Sequence, residues 1–152
     1  MTLTQKEASL LSDLRSHEQL CIEKYSKYAA VANDPALKTI FSDLGRAEQN
    51  HLTTINEILS GKEVSMSSES PSATAAKTSP AASPCTADER SDDAYLCRDA
   101  LSMEKHVSSV YDTAVFEFTS PVLRDTLAHI QKEEQNHGET LYDYMETNGM
   151  YS

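Results

Sequence analysis

Glutamate and histidine stand three residues apart twice in this chain of 152 residues. Glu48 pairs with His51 and Glu134 with His137, each time within the tetrapeptide Glu-Gln-Asn-His. One helical turn puts both side chains of such a pair on a single face. Together they offer oxygen and nitrogen to a cation. That donor set suits iron or manganese, whereas thiolate-rich sites favour zinc or Fe–S clusters. The two motifs are separated by 134 − 48 = 86 positions, and the same offset carries Glu18 to Glu104, Tyr25 to Tyr111, Pro35 to Pro121 and Leu37 to Leu123. Two further glutamates therefore accompany the two Glu-x-x-His pairs, as expected of a duplicated unit.

The elements that position these residues are helices. Apolar residues recur at 3/4 spacing through positions 11, 14, 18, 21, 25, 28 and 32, and again through 37, 41, 44, 48, 51, 55 and 58. A third stripe runs through 97, 100, 104, 107, 111, 114 and 118, and a fourth through 123, 127, 130, 134, 137, 141 and 144. Such stripes face a bundle core. Each carries one Glu at its middle; the second and fourth add the His. Thr4 with Glu7 reads as a capping box. Asp34-Pro35 and Ser120-Pro121 each place a capping side chain before a proline suited to a first helical position. Gly61 and Gly149 stand where helices should end. The pattern predicts helices near 4–33, 35–60, 92–118 and 121–147, forming two antiparallel hairpins over residues 1–61 and 91–152. Between them, residues 62–90 are rich in Ser, Ala, Pro and Thr without apolar periodicity, and read as a flexible crossover linker.

Level along the bundle agrees with the spacing. Glu18 and Glu48 are each 15 residues from position 33, and Glu104 and Glu134 are each 15 from position 119. Antiparallel pairing then sets each pair at one height, and a pseudo-twofold between the hairpins would gather all four acids into one layer. Four carboxylates in an apolar layer are very unfavourable: burying an ion costs several kcal/mol even after relaxation, and like charges add repulsion. Two divalent cations would balance them, each taking a His nitrogen, a terminal Glu and a share of two bridging Glu.

Composition bounds the alternatives. The net charge of −11 argues against nucleic-acid binding. No run approaches the roughly 20 apolar residues of a membrane span, and the start MTLTQKEASLL carries no secretory signal. The odd set Cys21, Cys85 and Cys97, without a CxxC pair, fits a reducing compartment; packing is its simplest use, and reactive roles stay open. His17, His106 and His129 lie off the stripes and are expected at the surface.

One Glu on each of two helices with Glu-x-x-His on the other two resembles the di-iron carboxylate proteins of the ferritin-like superfamily, as does Tyr seven residues after Glu18 and Glu104. The resemblance covers nearly the whole chain outside the linker. Within that superfamily the stretch DAYLCRDALSMEKHVSSVYDTAVFEFTSPVLRDTLAHIQKEEQNH, with METNGMYS at the end, resembles a spore coat F domain and the rubrerythrin-like group around it. The resemblance implies an all-α, ferritin-like four-helix bundle with a long crossover. It implies six ligands, with Glu48 and Glu134 bridging, Glu18 and Glu104 terminal, and His51 and His137 completing the set. It assigns Tyr25 and Tyr111 to hydrogen bonds that orient ligand carboxylates. The cofactor would be two Fe ions (Mn, or Zn in vitro, as alternatives), acting as an oxidase, ferroxidase or peroxidase on dioxygen or peroxide. Three departures bear on activity. Val107 stands where rubrerythrins carry an extra carboxylate, and the chain has neither a rubredoxin module nor the fifth helix of storage ferritins.

Three readings follow. The chain is a redox-active dimetal protein, a structural spore-coat protein whose metals only stabilise the bundle, or a metal-free helical interaction module. Its place is the cytoplasm or the spore coat, with other coat proteins as partners in the second case. The linker also permits exchange of hairpins between chains to give a homodimer.

Overall fold

A computed structural model describes residues 2–64 and 82–151. All regular structure among them is helical: α1 (Gln5–Val31), α2 (Pro35–Leu59), α3 (Ala87–Glu117) and α4 (Pro121–Thr147). At 1.5 Å per residue each helix is roughly 40 Å long.

The helix starts are built as the sequence expects. The Thr4 hydroxyl accepts the Glu7 N–H at 3.1 Å while the Glu7 carboxylate accepts the Thr4 N–H at 2.8 Å. Asp34 accepts from Ala36 N–H and Ser120 from Leu123 N–H, each ahead of its proline. Gly61 and Gly149 adopt positive φ of 81° and 65° just past α2 and α4, the left-handed turn that brings the N–H groups of Lys62 and Met150 back onto the final carbonyls of Glu57 and Met145.

The start of α3 differs from expectation. It begins at Ala87 rather than near 92, because Thr86 and Glu89 form a second capping box with both bonds at 3.2 Å. The last residues assigned to the linker are thus a helical turn; residues 65–81 of that segment lie outside the described part.

The helices pack as a bundle in which α1 touches α2 and α3, and α4 touches α3 and α2. Directions follow from the hydrogen bonds at its ends. Asn33 and Asp34, after α1, donate their N–H groups to Asp93 near the start of α3, at 2.8 and 3.0 Å. Thr119, after α3, donates its N–H to Glu7 near the start of α1 at 3.0 Å. So α1 and α3 are antiparallel. Tyr144, near the end of α4, donates to Asp34 at the head of α2 at 2.6 Å, so α2 and α4 are antiparallel too. With tight turns inside each hairpin, α2 and α3 run parallel.

Almost every stripe position is buried, from Leu11 and Leu14 through Leu141 and Tyr144. Tyr28 is the exception, half-buried because its hydroxyl donates to the carboxylate of Asp99 at the surface. At Gly45 an added Cβ would come within 3.3 Å of Tyr25 Cβ. The missing side chain lets α1 and α2 approach where Tyr25 turns inward.

Candidate metal centre

The mid-bundle layer collects all six residues singled out by spacing. Glu18, Glu48, His51, Glu104, Glu134 and His137 are buried, none more than 8% exposed. Their ligand atoms fall into two overlapping groups: Glu18, Glu48, His51 and Glu134 in one, Glu48, Glu104, Glu134 and His137 in the other. Within each group one atom per residue lies within 4.8 Å of the others. Glu48 and Glu134 belong to both.

The two imidazoles stack with ring centroids 5.8 Å apart. His51 Nδ1 lies 3.0 Å from Glu48 Oε2 and 2.8 Å from Glu134 Oε1. His137 Nδ1 lies 3.1 Å from Glu48 Oε1 and 3.5 Å from Glu104 Oε1. Both histidines thus aim the same ring nitrogen at the acids between them.

Tyrosine hydroxyls hold the outer acids in a crossed arrangement. Tyr111 on α3 donates to Glu18 Oε1 on α1, and Tyr25 on α1 donates to Glu104 Oε1 on α3. Burial, then the facing carboxylate, pushes both phenols well above their ordinary range, so they remain donors. The other oxygens of these acids, Glu18 Oε2 and Glu104 Oε2, are buried without a hydrogen-bond partner, as is Glu134 Oε2; Glu134 Oε1 faces His51 Nδ1 at 2.8 Å but not in hydrogen-bonding geometry. A buried acceptor left unsatisfied costs about 1–3 kcal/mol or more. Four in one layer could be satisfied by a cation, or by protons carried on the acids and imidazoles.

The electrostatics point the same way. Burial pushes the Glu48 carboxyl up to about 10 and the Glu104 carboxyl up to about 7. Burial also works against the two imidazolium ions, yet the surrounding carboxylates outweigh it and raise both histidines. Protons therefore gather where positive charge is needed. Divalent ions could supply that charge instead.

Spacing did not reveal Glu133. Its Oε2 lies 2.7 Å from His51 Nε2, and its Oε1 lies 2.7 Å from Nε2 of the exposed His129. A carboxylate on the far nitrogen of a histidine fixes the ring's tautomer and orientation. Glu133 sits beside Glu134 but off the stripe, so periodicity passes over it. The other histidines behave as expected: His106 is exposed and His17 half-buried against it, ring centroids 5.1 Å apart. Cys21 and Cys97 are free and fully buried. Burial pushes both thiols up, Cys97 to about 12, which makes them packing groups.

The family model described as the Coat F domain matches residues 92–152. The match takes in α3 from its second turn and all of α4, and with them Glu104, Glu134 and His137. No curated protein and no solved structure matches the chain. No helix among the described residues is long and apolar enough to cross a membrane.

Proposed function

We propose that this chain is a spore-coat-associated, ferritin-like dimetal protein that oxidises Fe(II) with dioxygen or peroxide. The observation that carries the metal reading is the pair of four-residue clusters sharing Glu48 and Glu134, with buried carboxylate oxygens that lack a hydrogen bond. The Coat F match supports the coat association. In this reading the two hairpins and the crossover at 62–90 make one bundle with one centre.

The donor set fits two iron or manganese ions: carboxylate oxygen with one imidazole per ion, and no thiolate among the ligand groups. Glu48 and Glu134 would bridge. Glu18 and His51 would complete one position, Glu104 and His137 the other. Bound iron supplies electron transfer to a small oxidant. The chain's own residues do the rest. Tyr111 and Tyr25 each hold Oε1 of a terminal glutamate, which also faces a histidine Nδ1 at 3.5–3.6 Å, and leave Oε2 buried without a hydrogen-bond partner. Glu133 holds the His51 ring with Nδ1 facing inward. The apolar stripes above and below exclude bulk water.

A structural role is the second reading, and the Coat F match favours it. There the ions only brace the bundle, with coat proteins, or a second copy joined by hairpin exchange, as partners. Metal analysis of protein purified with iron supplied, followed by optical spectra under oxygen and peroxide, separates the readings. About two irons per chain with fast spectral change supports the oxidase; bound metal with slow change supports the structural role. Absence of bound metal, with thermal stability indifferent to chelators, would overturn both.

A further inference from the structure

A cavity of about 440 Å³ opens between α3 and α4. Glu104 and Glu134 line it together with Leu101, Ser108, Gly138 and Tyr142. The charged Lys105 and Glu139 also border it, although most of its exposed surface is apolar. Glu104 belongs to the ligand group of His137 and not to that of His51. Glu134 belongs to both groups, so the cavity meets the Glu104/His137 position through two ligands and the Glu18/His51 position through the shared Glu134 alone.

The duplication provides an internal control. Subtracting 86 carries Gly138 to Leu52, Ser108 to Ile22 and Glu133 to Ala47. At two lining positions, 138 and 108, the first hairpin has the bulkier side chain, Leu52 and Ile22, although Tyr142 answers to the smaller Asn56. The outer nitrogen of His51 is taken by Glu133 at 2.7 Å; at the place that would answer for His137 the chain has Ala47, which has no polar side chain. Gly138 is the plainest opening. A Cβ there would meet Leu101 Cδ1 at 3.6 Å, an ordinary contact, so its absence is not forced by helix packing. It leaves room.

We propose that the α3/α4 cavity is the binding site for a small uncharged molecule, and that it delivers that molecule to the Glu104/His137 metal position while the Glu18/His51 position stays closed. This rests on the dimetal reading. A largely hydrocarbon wall ending on metal ligands favours a neutral molecule over a hydrated ion, whose shell it cannot replace. The volume also leaves space for a molecule larger than dioxygen.

The test uses nitric oxide, small and uncharged, added without oxygen to the full chain loaded with Fe(II) and followed by stopped-flow absorbance. The expected result is one fast-binding nitric oxide per pair of irons. Gly138→Leu, which installs the first hairpin's residue, slows that association at least tenfold while two irons per chain remain; Gly138→Ala slows it less and serves if the larger residue prevents folding. Leu52→Gly leaves the fast phase unchanged. Two equally fast phases in the unaltered protein, or an undiminished rate in an iron-replete Gly138 variant, would overturn the one-sided site and leave the dimetal reading standing. Failure of the unaltered protein to bind iron would sink the dimetal reading itself, and this proposal with it.

Discussion

The two hairpins differ in an orderly way. What they share at the offset of 86 is the machinery of the central layer and the clips at the bundle ends. Glu18 and Glu104 both receive a tyrosine hydroxyl from the other hairpin, through Tyr111 and Tyr25. Glu7 and Asp93, themselves 86 apart, each accept a backbone N–H from the turn of the opposite hairpin. What they do not share lies around that layer: Glu133 against Ala47, Gly138 against Leu52, and Tyr144, bonded to Asp34, against Ile58. Equivalence survives where four acids must be held at one height. It lapses where the two faces of the bundle can be given different surroundings.

The largest expected effect tests whether the shared acids are shared by both ions. Glu48→Leu or Glu134→Leu is expected to reduce bound metal from two per chain to none, whereas Glu18→Leu or Glu104→Leu leaves one. In the metal-free bundle Glu48→Leu should cost about 3–5 kcal/mol in urea, because it removes one partner of a buried network and leaves His51 and His137 facing an apolar side chain. Two ions retained after Glu48→Leu would end the bridging assignment. Stripping metal from the unaltered protein should also lower its midpoint: a ligand at 100 times its Kd contributes about 2.7 kcal/mol to the folded state.

The bundle ends come next. Asp93 accepts two backbone N–H groups, from Asn33 and Asp34, and Glu7 accepts one from Thr119 besides closing its own capping box. Asp93→Ala should cost about 2–4 kcal/mol, since it orphans the N–H of the buried Asp34 and the half-buried Asn33, and Glu7→Ala about 1–2 kcal/mol, since the exposed Thr4 and Thr119 can turn to water. Equal losses would mean that burial of the donors at the Asp93 end adds nothing. At the centre, Tyr25→Phe and Tyr111→Phe should each cost about 1–2 kcal/mol in the metal-loaded protein. Their losses should match to within about 0.5 kcal/mol if the crossed pair is truly equivalent.

Much of this was legible in the sequence, because both fold and site obey simple periods. The 3/4 stripes located the core, and proline after a capping residue located the turns. A Glu or Glu-x-x-His at mid-stripe, repeated at 86, was enough to bring six residues to one place. Features that obey no period were missed. Glu133 reaches His51 from off the stripe by virtue of side-chain length. Asp93 and Glu7 do obey the offset of 86, and Glu7 reads as a cap, but their bonds to the opposite hairpin were missed because the partner is backbone and leaves no mark on composition. The start of α3 was placed late because Thr86-x-x-Glu89 lies at the edge of a Ser/Ala/Pro-rich stretch that masks it. The α3/α4 cavity depends on what Gly138 lacks, and an absent side chain becomes informative only beside Leu52.

The smallest effect concerns protons at one bundle end. The Glu7 carboxylate is held below the usual carboxylate range, first by the Thr119 N–H and then by the Thr4 N–H. A depressed folded-state pKa means that the carboxylate's contribution is fully present above the unfolded value near 4.5 and fades as pH falls toward the folded one. Glu7→Gln lacks that dependence. In metal-free protein, so that loss of ions does not intrude, the stability gap between the parent and Glu7→Gln should be of order 1 kcal/mol at pH 7. It should then narrow steadily below about pH 4.5. Taking the difference cancels the titration of every other acid, including the central layer, provided that Glu7 lies too far from it to interact. A gap that stays constant down to pH 3 would mean that the N–H groups of Thr4 and Thr119 bind the amide as well as the carboxylate. The clip at that end would then be a matter of shape rather than charge.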